Sequence, residues 1–144
     1  MHVWFVPLLL MPLIDQGVKH LLRRRLGLRS LALGPSVSLR LVNARVWLTR
    51  AEGPPNLARM WILWVLAAGG VAILAGVIPA SRLFVGLLLG GSLSHALETS
   101  LRGSVSDYIC STWWPAFNLA DVAITIGALG VLTHALIALQ IALA

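Results

Sequence analysis

Two uninterrupted apolar runs decide what this chain can fold into. Neither Met60 to Ile78 nor Val122 to Ala144 contains a single charge. A bilayer core takes about 20 residues of helix to cross. Both runs are of that order, so each reads as a spanning helix. Two shorter uncharged runs end on acids: Val3 to Ile14 meets Asp15, and Leu83 to Leu97 meets Glu98. The pattern predicts an all-α polytopic membrane protein with four transmembrane helices, near 3–22, 59–78, 83–101 and 115–142. Composition agrees, with 58% of residues apolar and 11% charged. Soluble domains run near a quarter charged, so an ordinary soluble enzyme is excluded. The apolar content equally excludes disorder. At 144 residues the chain reads as a single membrane domain, 1–144.

The first segment lacks a basic start and a small-residue cleavage site, and Asp15 interrupts it. It therefore reads as a retained helix and not a signal peptide. The polar segment of about 23–58 separates it from the second span. Ser36-Val37-Ser38-Leu39-Arg40-Leu41 alternates polar and apolar residues, the period of a half-buried strand. Gly34-Pro35 and Gly53-Pro54-Pro55 are turn signals around it. A small β-cradle on the membrane surface, about 31–56, is expected between the first two helices.

Eleven Lys and Arg against five acids give a net charge of +6. Arg23, Arg24, Arg25, Arg29, Arg40, Arg45, Arg50 and Arg59 lie in or beside the polar segment. Next to apolar spans such residues suit anionic lipid headgroups better than nucleic acid. An acidic protein partner is the other candidate for them. His20 with Arg23 to Arg25 reads as a headgroup cluster. Counted by charge, the segment belongs in the cytoplasm. Trp4, Trp61, Trp64, Trp113 and Trp114 mostly fall near predicted span ends and suit an interfacial belt. One cysteine, Cys110, permits no intramolecular disulfide and no cysteine-rich metal site. No metal or other cofactor is expected.

The acids are the candidates for chemistry. A charge at the bilayer centre costs on the order of 2.5–3.5 kcal/mol. Asp15 and Lys19 are four apart and share a helix face. Asp15 is open to two readings, a structural pair or a contact with substrate. Asp121 and Asn118 are three apart, past the Trp113-Trp114-Pro115 break, where Pro115 can open a helix. An acid there either answers the helix dipole or does chemistry. Asp107 lies on the other side of that break. Adjoining antiparallel elements could bring the two carboxylates together, to share one proton as in aspartyl proteases. His95 and Glu98, three apart on one face, read as a hydrogen-bonded pair or a proton relay.

These residues resemble those of the lipoprotein signal peptidases, the signal peptidase II family. Asp15-Gln16-Gly17-Val18-Lys19 is similar to the family's Asp-Gln-x-x-Lys. Asn43 resembles the Asn that opens its Asn-x-Gly motif. Gly90-Gly91, Gly103 and Val105-Ser106-Asp107-Tyr108-Ile109 align with the third-helix motif. Pro115-Ala116-Phe117-Asn118-Leu119-Ala120-Asp121 with Ala123-Ile124-Thr125-Ile126-Gly127 is nearly a full match to the fourth-helix motif.

The resemblance implies a membrane aspartyl endopeptidase of the bacterial cytoplasmic membrane. It would cut diacylglyceryl-prolipoproteins before the lipidated cysteine. Asp107 and Asp121 would be catalytic, with Asp15, Gln16, Asn43, Asn118, His95 and Glu98 in substrate or supporting roles. Both termini would be cytoplasmic and the cradle on the outer face, and this reading is followed here over the charge count. The sequence departs from the family at four positions. His95, Glu98 and Thr99 stand where the family has Asn, Asp and Arg, and Arg45 stands where it has Gly. Those departures motivate an alternative, a non-catalytic paralogue acting as a subunit or assembly factor of a membrane complex.

Overall fold

The structure is a computed structural model, and it describes residues 3–27, 29–44 and 56–144. Arg45, Trp47, Arg50, Glu52 and the Gly53-Pro54-Pro55 turn lie outside the described residues. Four long helices carry the architecture: α1 (Phe5–Arg25), α2 (Leu57–Val77), α3 (Arg82–Arg102) and α4 (Leu119–Leu143). All four are long and apolar enough to cross a membrane. A single 3-10 turn, Pro79–Ser81, joins α2 to α3.

Each helix end has a local cause. The Asn56 side chain caps α2 by accepting the Arg59 N–H at 3.0 Å. Helix α3 stops at Gly103, whose φ of 71° is left-handed, a conformation glycine adopts without strain. Helix α4 starts on a capping box. The Asn118 side chain accepts the Asp121 N–H, and the Asp121 carboxylate accepts the Asn118 N–H. Pro115 therefore does not open the helix, contrary to the sequence reading. The segment before Asn118 turns back on β3 instead, because Phe117 bridges to Ile109. The Tyr108 and Ile109 N–H groups both donate to the Phe117 carbonyl, at 3.1 and 2.9 Å.

Among the described residues, three strands form one antiparallel sheet in the order β1 (Leu31–Ala32), β2 (Val37–Ala44) and β3 (Val105–Ser111). In β2 and β3 Asn43 faces Ser106 and Val42 faces Asp107, past a bulge after Leu39. The strand expected near 36–41 is present as β2. The cradle, however, is not confined to the segment between the first two helices, because β3 follows α3. The β-branched and aromatic residues Val105, Tyr108 and Ile109 favour a strand, and β2 offers the open edge they pair with.

Helix α3 is the centre of the bundle and packs on α1, α2 and α4. Val85 and Leu89 of α3 and Ala75 of α2 form the buried core, with Trp4, Leu8, Ala68, Val71 and Val131 around them. The outward faces are apolar: Leu13, Ile73, Val77 and Leu129 are all at least 60% exposed, as lipid contact requires. Trp61 and Trp64 do not turn their polar edges to an interface. Their indole N–H groups donate to Ser100 (2.9 Å) and Ser92 (3.1 Å) of α3. An N–H facing hydrocarbon needs a partner, and α3 provides one.

Helices α3 and α4 approach backbone to backbone. A Cβ on Gly91 would meet the Ala120 carbonyl oxygen at 2.6 Å, and one on Gly127 would meet the Phe84 carbonyl oxygen at 2.7 Å. Small residues permit such contact between spanning helices. Gly127→Leu is expected to lower the thermal midpoint in detergent, by about 1–3 kcal/mol of stability or more. Gly69→Ala, where no atom lies within 4 Å of the added Cβ, should leave the midpoint in place.

Candidate active site

The site forms where the C-terminal half of α3, the first turn of α4 and strand β3 meet. Asn118 joins its two carboxylates. The Asn118 Nδ2 donates to Asp107 Oδ1 at 2.7 Å and to the Ser106 carbonyl at 3.4 Å. The Asn118 Oδ1 accepts the Asp121 N–H at 3.0 Å, and its own N–H donates to Asp121 Oδ2 at 2.9 Å. Asn118 is fully buried. One residue thus ties a strand carboxylate to a helix-terminal one. Asp121 occupies the place the helix dipole favours and still turns a carboxylate toward the site.

The two aspartates sit in different surroundings. Asp107 is 8% exposed, whereas the Asp121 side chain is 37% exposed. Burial pushes the Asp107 carboxyl above its ordinary range, the Asn118 amide works against that rise, and the nearby Asp121 charge adds to it. His95 of α3 completes the group. Its Nε2 lies 3.3 Å from Asn118 Oδ1 and 3.4 Å from Asp121 Oδ1.

A second polar cluster lies behind the first. Lys19 is fully buried, and its ammonium bonds Asp15 Oδ2 and Glu98 Oε2, both at 2.7 Å. Arg23 Nη2 bonds Glu98 Oε1 at 2.5 Å and donates to Ser106 Oγ at 2.8 Å. Ser106 in turn donates to Asn43 Oδ1 at 3.3 Å. Asp15 also accepts from Ser94 Oγ (2.7 Å) and from the Tyr108 hydroxyl (3.4 Å). Tyr108 accepts the Leu119 N–H at 3.1 Å, and burial pushes its titration far above the ordinary phenol range. Gln16 Nε2 donates to Ser94 Oγ at 2.9 Å. Among the described residues, no buried side-chain nitrogen or oxygen lacks a partner.

The structure therefore brings together Asp107, Asp121, Asn118 and His95, and sets Asp15, Gln16, Asn43 and Glu98 in the cluster behind them. Two sequence readings are corrected. His95 and Glu98 do not pair with each other. Positions three apart diverge by about 60° around a helix, and α3 has α1 and α4 on different sides. His95 accordingly meets residues of α4, while Glu98 meets residues of α1. Arg23 does not reach out to headgroups or an acidic partner. It folds inward, because Asp15 and Glu98 bring two negative charges against the one positive charge of Lys19, and Arg23 balances the second. The sequence reading also missed Ser94, Ser106 and Tyr108. For Arg23 a signal existed: Asp15, Lys19 and Arg23 recur at intervals of four and share one face.

The model of the signal peptidase (SPase) II family matches residues 8–137. The chain belongs to the signal peptidase II family. A lipoprotein signal peptidase of Rhodococcus jostii is 32% identical over 122 residues, covering 75% of this chain and 58% of that protein. One from Moorella thermoacetica is 29% identical over 138 residues, 85% of this chain and 87% of its own length. The chain spans a little under three-fifths of the Rhodococcus relative. A bacterial membrane enzyme solved in meso at 1.9 Å has the same fold, with a TM-score of 0.75 at 18% identity over 92% of this chain and 96% of its own. With four spanning helices on that fold, the family member is a multi-pass membrane protein.

Breaking a buried ion pair from one side is expensive, at about 3–5 kcal/mol. Glu98→Ala leaves Lys19 and Arg23 without their shared carboxylate. It should lose stability of that size in detergent, measured against wild type by thermal or denaturant unfolding.

Proposed function

We propose that this chain is a membrane aspartyl endopeptidase of the bacterial cytoplasmic membrane, cleaving diacylglyceryl-modified prolipoproteins before the lipidated cysteine. The observation that carries the reading is the pair Asp107 and Asp121, joined through one buried Asn118. Family membership and the names of the relatives support the substrate class. The alternative of a non-catalytic subunit finds no support in those relatives.

The mechanism follows from the asymmetry of the pair. Asp107, the more buried acid, holds the proton that the two carboxyls share, because burial and the Asp121 charge both oppose its ionisation. Asp121, the more exposed carboxylate, takes a proton from water as the water oxygen attacks the scissile carbonyl carbon. Asp107 gives its proton to the carbonyl oxygen. The tetrahedral diol collapses when Asp121 passes the proton it took from water to the amide nitrogen, the C–N bond breaks and the amine leaves, while Asp107 recovers its proton from the diol hydroxyl as the carbonyl re-forms. Asn118 keeps the two carboxyls in register throughout. Asp15, Gln16, Asn43 and Glu98 hold the surrounding elements in place. The indoles of Trp113 and Trp114, 80% and 66% exposed between β3 and α4, suit a lipid-bearing substrate approaching from the headgroup region. With the cradle on the outer face, as the family resemblance implies, cleavage takes place at that face.

The test is processing of a purified diacylglyceryl-prolipoprotein in detergent or vesicles. Asp107→Asn and Asp121→Asn should each lower the cleavage rate by about 10²–10⁴-fold, the usual worth of a positioned acid or base. Variants that process at the wild-type rate would overturn the reading.

Asp107 also links activity to stability. Its carboxyl is raised from an ordinary value of 3.8, so the folded state binds its proton more tightly than the unfolded chain does. Raising the pH from 3.8 through the raised value therefore removes stability from the wild type. Asp107→Asn has no such proton to lose. It should unfold at a higher temperature than wild type at neutral pH, with the gap closing as the pH falls toward that ordinary value, as calorimetry in detergent can measure.

A further inference from the structure

We infer that His95 is a positioning residue for the aspartate pair, holding the Asp121 carboxylate in its water-facing orientation by gripping the oxygen that the Asn118 N–H does not. The inference rests on the reading of Asp107 and Asp121 given above and adds a residue to it. The family resemblance places an asparagine at this position, so the imidazole is a departure from the family pattern.

His95 Nε2 faces two oxygens, Asn118 Oδ1 at 3.3 Å and Asp121 Oδ1 at 3.4 Å. The Asn118 Oδ1 already accepts the Asp121 N–H, and its Nδ2 is committed to Asp107, which fixes the amide orientation. Both atoms facing Nε2 are thus acceptors, and Nε2 must carry the hydrogen. This holds for the neutral ring as well as for imidazolium. Asp121 Oδ2 is held by the Asn118 N–H at 2.9 Å. Without His95, Oδ1 would lose this neighbour, on a side chain exposed enough to change rotamer. With it, Asp121 Oδ2 keeps the Asn118 N–H and Oδ1 keeps the Nε2 contact at 3.4 Å, while the Nε2 hydrogen bond to Asn118 Oδ1 holds the ring in place. The ring itself is only 24% exposed, and α3 is the most buried of the four spanning helices, so the donor arrives on a rigid element.

The imidazole also adds an ionisable group beside the pair. The charged groups around it are Asp121 of α4, Asp107 of β3 and, one turn along α3, Glu98. Glu98 is already balanced by Lys19 and Arg23 of α1. A proton on His95 is therefore felt mainly by the two aspartates. An asparagine at the same place could donate to Asp121 but could not titrate.

Three variants test this in the full-length protein, with cleavage of a purified diacylglyceryl-prolipoprotein as the readout. His95→Leu should lower kcat on the order of 10²-fold, the effect of a misplaced reacting group, with KM unchanged. His95→Asn should restore most of that kcat, while its pH–rate profile loses one ionisation relative to wild type. His95→Gln should behave as His95→Asn does. A His95→Leu enzyme with wild-type kcat and pH profile would overturn the inference. Should His95→Leu not fold, a His95→Asn profile superimposable on wild type would overturn it equally. Asp107→Asn and Asp121→Asn, assayed alongside, separate the two proposals. If they are inactive while His95→Leu is fully active, only the role of His95 fails. If they cleave normally, the aspartate reading itself fails.

Discussion

The buried Lys19 ammonium is the interaction on which the arrangement depends. It sits between Asp15 of its own helix and Glu98 of α3, fully shielded from solvent. Hydrocarbon offers such a group no alternative partner. Helix α1 therefore has one azimuth and one depth against α3, set by the pair of contacts that satisfies the cation. Arg23 extends the same logic one turn further and ties both helices to β3 through Ser106. The sheet is thereby fastened to the end of the bundle, and with it the strand that carries Asp107.

A second constraint then selects the chemistry. Asn118 caps α4 and bonds Asp107 with the same side chain. The cap needs the side-chain oxygen and leaves the amide nitrogen free to reach the strand. A serine or aspartate would cap the helix as well, but neither carries an amide that could donate to a carboxyl from its other end. The close contact at Gly91 and Gly127 brings α4 near enough to α3 for His95 to touch Asn118 and Asp121. Packing, capping and acid placement thus converge on one point.

The departures from the family pattern look different once the neighbours are known. Glu98 retains a carboxylate where the family has aspartate, and its two cations come from α1. Thr99 carries no guanidinium, yet Arg23 of α1 brings one to the adjacent Glu98.

Much of this is legible from the chain alone. Long uncharged runs require helices, since an unpaired backbone cannot cross lipid, and the Asn118–Asp121 spacing of three is that of an N-cap and its capping-box partner. Acids inside apolar segments mark the site, because only function or pairing offsets the cost of their burial. What the sequence by itself could not decide was direction and partner. Whether Glu98 faced His95 or Lys19, whether Arg23 pointed out or in, and whether residues 105–111 formed helix or strand all turned on which surfaces met. Those choices belong to the tertiary structure, because a buried charge goes to whichever opposite charge the packing brings within reach, and sequence separation says nothing about that distance.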